Sequence, residues 1–342
     1  MPVGVLRLKT AATDRTPIVD AFGRAFRYLR LSVTDRCNLR CTYCMPPDGV
    51  PLLRHTDILS YEEIAAIARA AVGLGVTSVR ITGGEPLVRR NLVRLIELLR
   101  EIAGLDDISM TTNASLLSAA APSLARAGLK RVNVSIDSLD PQEYAAITRG
   151  GDLGAALVGL EAALGAGLSP VKVNAVMAVR REDAELRQWV RSFVDLAHKL
   201  PVHVRFIELM PRDDPGAALH TNAGLPEIIR GLGATPARDI IPGAGPARYW
   251  RLDGALGLLG LIAPMNEPFC DRCNRLRLTA RGQLRSCLFS APDIDLMPLL
   301  RPEVDAAAIS EALLHTWRGK ARARGSSVLG AGNRASMCQI GG

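Results

Sequence analysis

Short apolar runs rich in β-branched residues alternate with amphipathic helical patterns between about residue 28 and residue 210. Such alternation is typical of repeated strand–helix units that build a parallel sheet. The runs that have the length and composition of strands are Tyr28–Val33, Ser78–Thr82, Asp107–Thr111, Arg131–Ile136, Val171–Met177 and Val202–Ile207. The pattern therefore predicts an α/β fold in which six strand–helix units form an open, incomplete (βα)6 TIM-like barrel.

Two helices between these strands have well-marked beginnings. Ser60 and Glu63 have the spacing of a capping box ahead of a helical pattern over Ile64–Leu74. The run Asp140–Glu143 places a cap, a first-turn proline and a reciprocal acid ahead of another helix.

Polar residues cluster where the predicted strands end. Parallel strand–helix folds build their sites at the carboxyl ends of the strands, so these residues are expected to share one mouth. From the first strand to the sixth, the clusters are the cysteine loop after Val33, Gly83–Pro86, Thr111–Asn113, Ser135 with Asp137, Lys172 with Asn174, and Glu208 with Met210. The arrangement predicts a single active site.

The strand–helix pattern decays past Met210. The stretch Pro211–Ala223 is polar and rich in turn residues, and Ile241–Pro246 has the composition of a linker. We therefore divide the chain into an N-terminal extension (residues 1–19), a barrel (residues 20–240) and a smaller C-terminal domain (residues 241–342). The last stretch, residues 319–342, is rich in Gly, Ser and Arg and is expected to lack regular structure.

Length and charge narrow the class of protein. The 342 residues suffice for a barrel and a small second domain. The chain contains no apolar run long enough to span a membrane, and charge interrupts its first apolar run too early for a signal peptide, so we expect a soluble cytoplasmic protein with no membrane partner. Its 42 basic residues, nearly all arginine, outnumber its 34 acidic residues and give a net charge of +8. This excess suits a polyanionic ligand, although arginines spread over solvated faces would give the same total.

Six of the seven cysteines form two trios. The trios are Cys37-x3-Cys41-x2-Cys44, directly after the first predicted strand, and Cys270-x2-Cys273-x13-Cys287. Each supplies three soft thiolates, one fewer than a closed tetrahedral site or a fully ligated cubane cluster requires, and so leaves a coordination position open. In a reducing compartment, cysteines at such spacing bind metal more readily than they form disulfides.

Zinc is the alternative metal for either trio. The first trio could hold zinc with a remote fourth ligand, and the spacing of the second fits a zinc ribbon completed by Cys338 or a histidine.

The first trio, with Tyr43 directly before its third cysteine, resembles the signature of the radical S-adenosylmethionine (radical SAM) superfamily. The resemblance implies a 4Fe-4S cluster whose open iron chelates S-adenosylmethionine and whose electron cleaves it to a 5′-deoxyadenosyl radical. Gly83–Pro86, one strand–helix unit later, is similar to the motif that holds the methionyl amino group. The residues that the resemblance assigns to S-adenosylmethionine are Tyr43, Gly84, Glu85, Ser135 and Met210.

The segments around the second trio point to one family within that superfamily. Phe269–Thr279, Gly282–Leu288, Tyr28–Cys37 and the final Gln339–Gly342 closely resemble the GTP 3′,8-cyclases of the first step of molybdenum cofactor (molybdopterin) biosynthesis. The resemblance implies a second 4Fe-4S cluster whose free iron meets the guanine base of GTP. It also implies that the adenosyl radical takes the hydrogen from ribose C3′, and that C3′ attacks guanine C8 to give (8S)-3′,8-cyclo-7,8-dihydroguanosine 5′-triphosphate.

The same resemblance assigns residues to the substrate. The residues that fall on the family's GTP positions are Arg30, Arg80, Thr111, Lys172, Arg275, Leu276 and Arg277. Lys172 also fits on physical grounds, because a charge in mid-strand is costly without an anionic partner; a lysine that reaches solvent from a strand end is the alternative. Gly341 and Gly342 match a Gly-Gly tail that enters the active-site cavity and is needed for activity. We expect Cys338 to be a neutral substitution, with competition for the second cluster as the alternative.

The implied partners are small molecules and other proteins of the pathway. They are GTP, a reducing electron donor such as flavodoxin or ferredoxin, and the next enzyme of the pathway, with the chain itself a monomer or a homodimer. One rival function is a radical SAM maturase that modifies peptides and carries extra clusters. Another is a zinc-stabilised nucleic-acid binder, but an aromatic content of 4% leaves few stacking platforms, and the basic residues follow strand ends rather than one run.

Overall fold

The computed structural model describes residues 17–179, 181–210, 224–238, 241, 243, 245–323 and 336–341. All six predicted strands are confirmed, each within one residue of its predicted bounds. They are β1 (Tyr28–Ser32), β2 (Ser78–Thr82), β3 (Asp107–Thr112), β4 (Arg131–Ser135), β5 (Val171–Val176) and β6 (Val202–Ile207). They lie side by side in this order and every neighbouring pair is parallel.

Helices connect these strands and cover one face of the sheet. They are α1 (Tyr61–Gly73), α2 (Leu92–Arg100), α3 (Leu117–Ala127), α4 (Pro141–Thr148), α5 (Leu153–Gly165) and α6 (Asp183–Lys199). The predicted capping box at Ser60 and Glu63 is confirmed, with reciprocal hydrogen bonds of 3.1 and 2.6 Å. At α4, Asp140 caps as predicted, but the Glu143 carboxylate pairs with Arg181 over 2.6 Å instead of bonding back to the cap.

The C-terminal third of the chain extends the sheet at both edges. Its strands are β7 (Thr235–Pro236), β8 (Arg248–Arg251), β9 (Leu258–Ile262), β10 (Arg275–Leu278), β11 (Gln283–Arg285) and β12 (Ile294–Asp295). β9 pairs parallel with β6 and β10 pairs parallel with β1, so the six-stranded core becomes a run of eight parallel strands. The domain boundary at residue 240 stays a prediction. One hydrogen-bonded sheet contains strands from both sides of this boundary.

Helices α7 (Leu225–Gly231), α8 (Ala306–Arg318) and α9 (Met337–Ile340) complete the described part of the chain. α8 packs on α1, and Trp317 stacks on Phe26 with ring centroids 5.1 Å apart. The expectation that residues 319–342 lack regular structure is wrong for α9, which Ser336 begins and which buries Cys338 and Ile340. None of the helices in the described ranges is long and apolar enough to cross a bilayer.

The two faces of the sheet differ in polarity because side chains alternate along each strand. On β1, Leu29 and Leu31 enter the apolar core beneath the helices, while Arg30 points to the opposite face. The same alternation places Arg80 opposite the core residues Val79 and Ile81 of β2, and Lys172 opposite Val171 and Val173 of β5. One face of the sheet is therefore a hydrocarbon core, and the other carries buried cations.

Candidate active site

The first cysteine trio occupies the loop that follows β1. Cys37, Cys41 and Cys44 are half-buried free thiols, and the Cys44 backbone N–H donates to the Cys41 carbonyl over 2.9 Å. Burial raises the pKa of Cys37 to about 11 and that of Cys41 to about 12. The thiols are therefore protonated in the metal-free protein, and iron would displace these protons as it binds.

The donor set fits an iron–sulfur cluster in its chemistry, since three soft thiols share one loop. In the described ranges, no three His, Cys, Asp or Glu side chains converge in a group that could hold a metal ion. The assignment of this trio to a cluster stays a prediction from the sequence.

The Gly83–Gly84 turn after β2 lies directly against this loop. Gly84 donates its N–H to the Thr34 carbonyl over 2.8 Å. A Cβ on Gly84 would lie 2.3 Å from the Arg36 carbonyl oxygen and 3.0 Å from the Cys37 nitrogen. Only glycine permits this approach of two backbones, so the turn sets the position of the first cysteine.

Substituting Gly84→Ala should displace the cysteine loop and lower iron binding. Relief of the clash requires a backbone shift, at a cost of about 1–3 kcal/mol. We expect iron retained by the first trio to fall about two- to fivefold, measured by iron analysis after anaerobic reconstitution. Gly165→Ala is the matched control, because its Cβ would meet nothing within 4 Å. Full iron content in Gly84→Ala would show that the turn does not position the loop.

Two residues matched to S-adenosylmethionine bind other protein groups in this structure. The Glu85 carboxylate accepts hydrogen bonds from the Thr112 hydroxyl (2.8 Å) and the Asn113 N–H (2.7 Å), and the Tyr43 hydroxyl donates to Asp137 over 2.7 Å. Burial raises the pKa of Glu85 to about 7 and that of Asp137 to about 6. Through these hydrogen bonds, Glu85 and Asp137 connect the ends of neighbouring strands to one another and to the cysteine loop.

The other residues matched to this cofactor lie at the same edge of the sheet. Ser135 is the last residue of β4, and Met210 follows β6; both are half-buried. Together with Gly84 and the cysteine loop, they lie at the carboxyl ends of the parallel strands. Their contact with S-adenosylmethionine stays a prediction.

Most of the residues matched to GTP lie on one face of the sheet, as the pairing register of the strands shows. Arg30 lies beside Arg80 on one side and Arg277 on the other. Thr111 and Lys172 both lie beside Asn133, in a row nearer the middle of the sheet. Register partners on neighbouring strands share a face, so these side chains point the same way.

Leu276 points the other way. Its side chain is fully buried in the apolar core beside Leu29. Only the backbone of Leu276 is available to a ligand on the cationic face, while Arg275 and Arg277 on either side of it point toward that face.

The cations of this face are buried or, for Arg30 and Arg275, half-buried, and they repel one another. Burial and Arg277 lower the pKa of Arg30 well below its usual range, and burial with Arg275 lowers the pKa of Arg277 to about 10. Burial, with Arg205 nearby, lowers the pKa of Lys172 to about 6. Such a concentration of positive charge is unfavourable in the free protein and suits a polyanion such as a triphosphate.

Two further cations of this face were missed in the sequence. Arg205 on β6 is buried and donates to the Asn174 side chain over 2.9 Å, and Arg131 on β4 is buried and paired with Asp107. The sequence pattern could have revealed Arg205, because this arginine interrupts the apolar strand Val202–Ile207 in the same way that Lys172 interrupts β5.

The second trio lies at the opposite end of the strands. Cys270 and Cys273 precede β10, whereas the first trio follows β1, and β10 is parallel to β1 with Arg275 beside Tyr28. Cys287 follows β11, whose antiparallel pairing brings it back to the same end. The cationic face therefore lies between the two trios.

Cys273 of the second trio differs electrostatically from the thiols of the first trio. Burial alone would raise the pKa of Cys273, but Arg275 and Lys320 outweigh it and lower that pKa to about 6. At neutral pH this cysteine is therefore largely a thiolate, the form that binds metal.

The C-terminal tail returns to the cationic face. The Gly341 carbonyl accepts hydrogen bonds from Arg30 (3.3 Å) and Arg277 (3.2 Å), while Gly342 lies outside the described residues. The N–H of Met337 donates to the Cys44 carbonyl over 3.1 Å. The tail thus joins the first cysteine loop to two residues matched to GTP.

Cys338 lies beside the first trio, so the alternative that it competes for the second cluster is wrong. The Cys338 thiol is buried and hydrogen-bonded to the thiol of Cys44, which belongs to the first trio. The short helix α9 causes this placement, because it packs on the first cysteine loop.

Two protein-family models match this chain, one over its N-terminal part and one over its C-terminal part. A family model described as the Radical SAM superfamily matches residues 31–193, and one described as Molybdenum Cofactor Synthesis C matches residues 202–325. A solved structure of Streptococcus suis SuiB bound to S-adenosylmethionine superimposes with a TM-score of 0.56 at 14% identity, over 81% of this chain and 64% of that chain. At this identity the superposition supports the fold alone. The fold and the cysteine loop define a radical SAM protein.

Curated relatives narrow the class further. The chain is 49% identical over 299 residues to the GTP 3′,8-cyclase of Moorella thermoacetica, covering 85% of this chain and 90% of the relative. It is 45% identical over 329 residues to that of Pelotomaculum thermopropionicum, covering 94% and 99%. The chain belongs to the GTP 3′,8-cyclase family.

Proposed function

We propose that this protein converts GTP to (8S)-3′,8-cyclo-7,8-dihydroguanosine 5′-triphosphate, the first step of molybdenum cofactor biosynthesis. The observation that carries the proposal is the row of buried cations between the two cysteine trios. Few ligands other than a nucleotide triphosphate combine a polyanion for such a row with a base that could reach a metal cluster. Membership of the cyclase family supports the same reading.

The cofactors of the proposed reaction are S-adenosylmethionine and two 4Fe-4S clusters. Cys37, Cys41 and Cys44 would hold the first cluster, with S-adenosylmethionine at its open iron. When bound, this pair supplies the adenosyl radical that removes the C3′ hydrogen of GTP. The second cluster would be held by Cys270, Cys273 and Cys287. An external donor such as flavodoxin or ferredoxin would supply electrons, and the product would pass to the next enzyme of the pathway.

The protein's own side chains would orient the substrate between these groups. The buried Arg80, Lys172 and Arg277 and the half-buried Arg30 would form the surface for the triphosphate, since arginine forks and a lysine ammonium are the usual phosphate ligands. Burial keeps water from these contacts and strengthens them. Gly341 meets two of these arginines and would close the same cavity.

The direct test is anaerobic incubation of the reconstituted protein with GTP, S-adenosylmethionine and a reductant. We expect 5′-deoxyadenosine and a cyclised nucleotide in equal amounts, and neither product from a Cys37→Ala variant. Zinc without iron in the purified protein would support the nucleic-acid binder instead, whereas about eight irons and eight sulfides per chain are expected here.

Arg275→Ala separates the cyclase from a peptide-modifying maturase. Arg275 is half-buried at the start of the cationic face, with its guanidinium 5.2 Å from the centre of the Phe269 ring. Losing one charged phosphate contact costs about 1–2 kcal/mol, so we expect GTP to bind roughly 5- to 30-fold more weakly, measured by calorimetry. Arg248→Ala on the exposed part of β8 is the control. Absence of GTP binding in the unsubstituted protein would favour the maturase.

A further inference from the structure

A buried network of charged residues outside the cationic face holds the second trio. Its members are Asp20, Arg24 and Lys320, each no more than 7% exposed. None of them was matched to a cofactor or substrate. Asp20 and Arg24 precede β1, and Lys320 follows α8, so the fold brings together residues that are about 300 positions apart in the sequence.

Arg24 ties the first cysteine of the trio to the chain around Lys320. Its guanidinium pairs with the Asp20 carboxylate over 2.6 Å. The same group donates to the carbonyls of Cys270 (3.0 Å), Lys320 (2.7 Å) and Ala321 (2.9 Å). The charge of Arg24 is therefore balanced within the protein, and the group fixes the backbone of Cys270 relative to that of Lys320.

Lys320 holds the other two cysteines through their neighbours. Its ammonium donates to the carbonyl of Ser286, directly before Cys287, and to that of Arg275, two residues after Cys273, over 3.2 Å in the latter case. Both segments that carry the trio thus contact Arg24 or Lys320.

In the part of the chain that the structure describes, no carboxylate balances the charge of Lys320. Among the described residues, no Asp or Glu forms an ion pair with it, and its ammonium donates to the neutral carbonyls of Arg275 and Ser286. A buried ammonium in such surroundings is strongly unfavourable. The electrostatic partners that favour its charge are Cys273 and Cys287, while Arg275 and Arg24 oppose it. An anionic cluster bound to these cysteines would supply the missing negative charge.

We propose that Lys320, braced by Arg24 and Asp20, is the positioning residue and the counter-charge of the second iron–sulfur cluster. The inference rests on the proposed function, because it requires that the second trio binds a cluster. A positive charge beside a cluster favours its reduced, more negative state, so Lys320 raises the reduction potential of the second cluster. It also aligns Cys287 with Cys273 before iron binds.

The test compares Lys320→Met, which removes the charge at similar length, with Lys320→Arg, which keeps it. Lys199→Met, at the exposed end of α6, is the control for the substitution itself. Iron content and an EPR-monitored redox titration with GTP present report on the second cluster, and the S-adenosylmethionine-dependent signal reports on the first. We expect Lys320→Met to lose about four of about eight irons, or to keep them with a more negative second potential. The first signal should be unchanged, and Lys320→Arg should behave as the unsubstituted protein.

Each outcome decides the matter. Unchanged iron and potential in Lys320→Met would overturn the proposal. Equal defects in both variants would show that hydrogen-bond geometry, not charge, is the role of Lys320. Should Lys320→Met fail to fold, Lys320→Arg alone provides the test. If Lys320→Arg, which keeps the positive charge, loses the second cluster and retains the first, the role of Lys320 as a counter-charge is contradicted. Only about four irons in the unsubstituted protein would instead refute the second cluster of the proposed function.

Discussion

Replacing Lys172 with methionine is expected to lower kcat/KM for GTP by roughly 30- to 700-fold. Lys172 is fully buried on the cationic face. Truncating one partner of a buried charge pair costs about 2–4 kcal/mol, and each 1.4 kcal/mol corresponds to about tenfold. The measurement is steady-state cyclisation under anaerobic conditions. Both clusters should remain loaded, because Lys172 contacts neither trio.

The same residue should make GTP binding depend on pH. In the free protein its pKa is lowered to about 6, so at pH 7.5 the amine is largely neutral. A triphosphate favours the charged form and raises the pKa again, so GTP binding takes up close to one proton above pH 6. Affinity should therefore fall as pH rises above about 6, by up to about tenfold per unit.

Calorimetry in buffers of different ionisation enthalpy measures this proton directly. Lys172→Met should abolish the uptake, and the exposed Lys199→Met should retain it. Identical proton uptake in the unsubstituted protein and in Lys172→Met would mean that another group titrates, and near-normal kcat/KM in Lys172→Met would remove this residue from the substrate site.

Substituting Gly341→Ala is expected to cut turnover about 100-fold while both clusters stay loaded. Gly341 has a left-handed backbone with φ of 72°, and a Cβ there would lie 2.9 Å from the Ser32 Cβ and 3.3 Å from the Thr82 methyl. The tail would have to move away from Arg30 and Arg277. A displacement of about 1 Å near the reacting groups can cost about a hundredfold in rate. Deleting Gly341 and Gly342 should have the same effect.

Gly254→Ala provides a closely matched control. Its φ of 70° carries the same backbone strain, but its Cβ would meet only His198 at 3.7 Å, an ordinary contact. We expect this variant to turn over GTP normally. Unchanged cyclisation in Gly341→Ala, measured with the iron content of each variant, would remove the tail from the active site.

The strands were predictable because their pattern is local. β1 to β6 fall within one residue of the predicted bounds, and Ser60 begins α1 through the pair of hydrogen bonds that its spacing indicates. Glu143 departs from its pattern because Arg181, distant in sequence, provides a stronger partner than the neighbouring N–H.

Long-range pairing was not predictable from the sequence. The short strands β9 and β10 carry no signal for the edges they join, yet their parallel pairing with β6 and β1 decides that the two trios lie at opposite ends of the strands. The alternative that joined Cys338 to the second cluster failed for the same reason, since the contact of Cys338 with Cys44 depends on long-range packing. Residue types and spacing thus indicated the chemistry, and tertiary structure determined its arrangement.

The proposed cyclisation requires that the cationic face presents the ribose of GTP to a radical generated at the first trio. Incubation with GTP deuterated at ribose C3′ tests it most directly, with mass spectrometry of the 5′-deoxyadenosine that forms. We expect one deuterium in each molecule of 5′-deoxyadenosine formed with the cyclised product. Deuterium-free 5′-deoxyadenosine, with the label retained in unchanged GTP, would show that the radical does not take its hydrogen from ribose C3′.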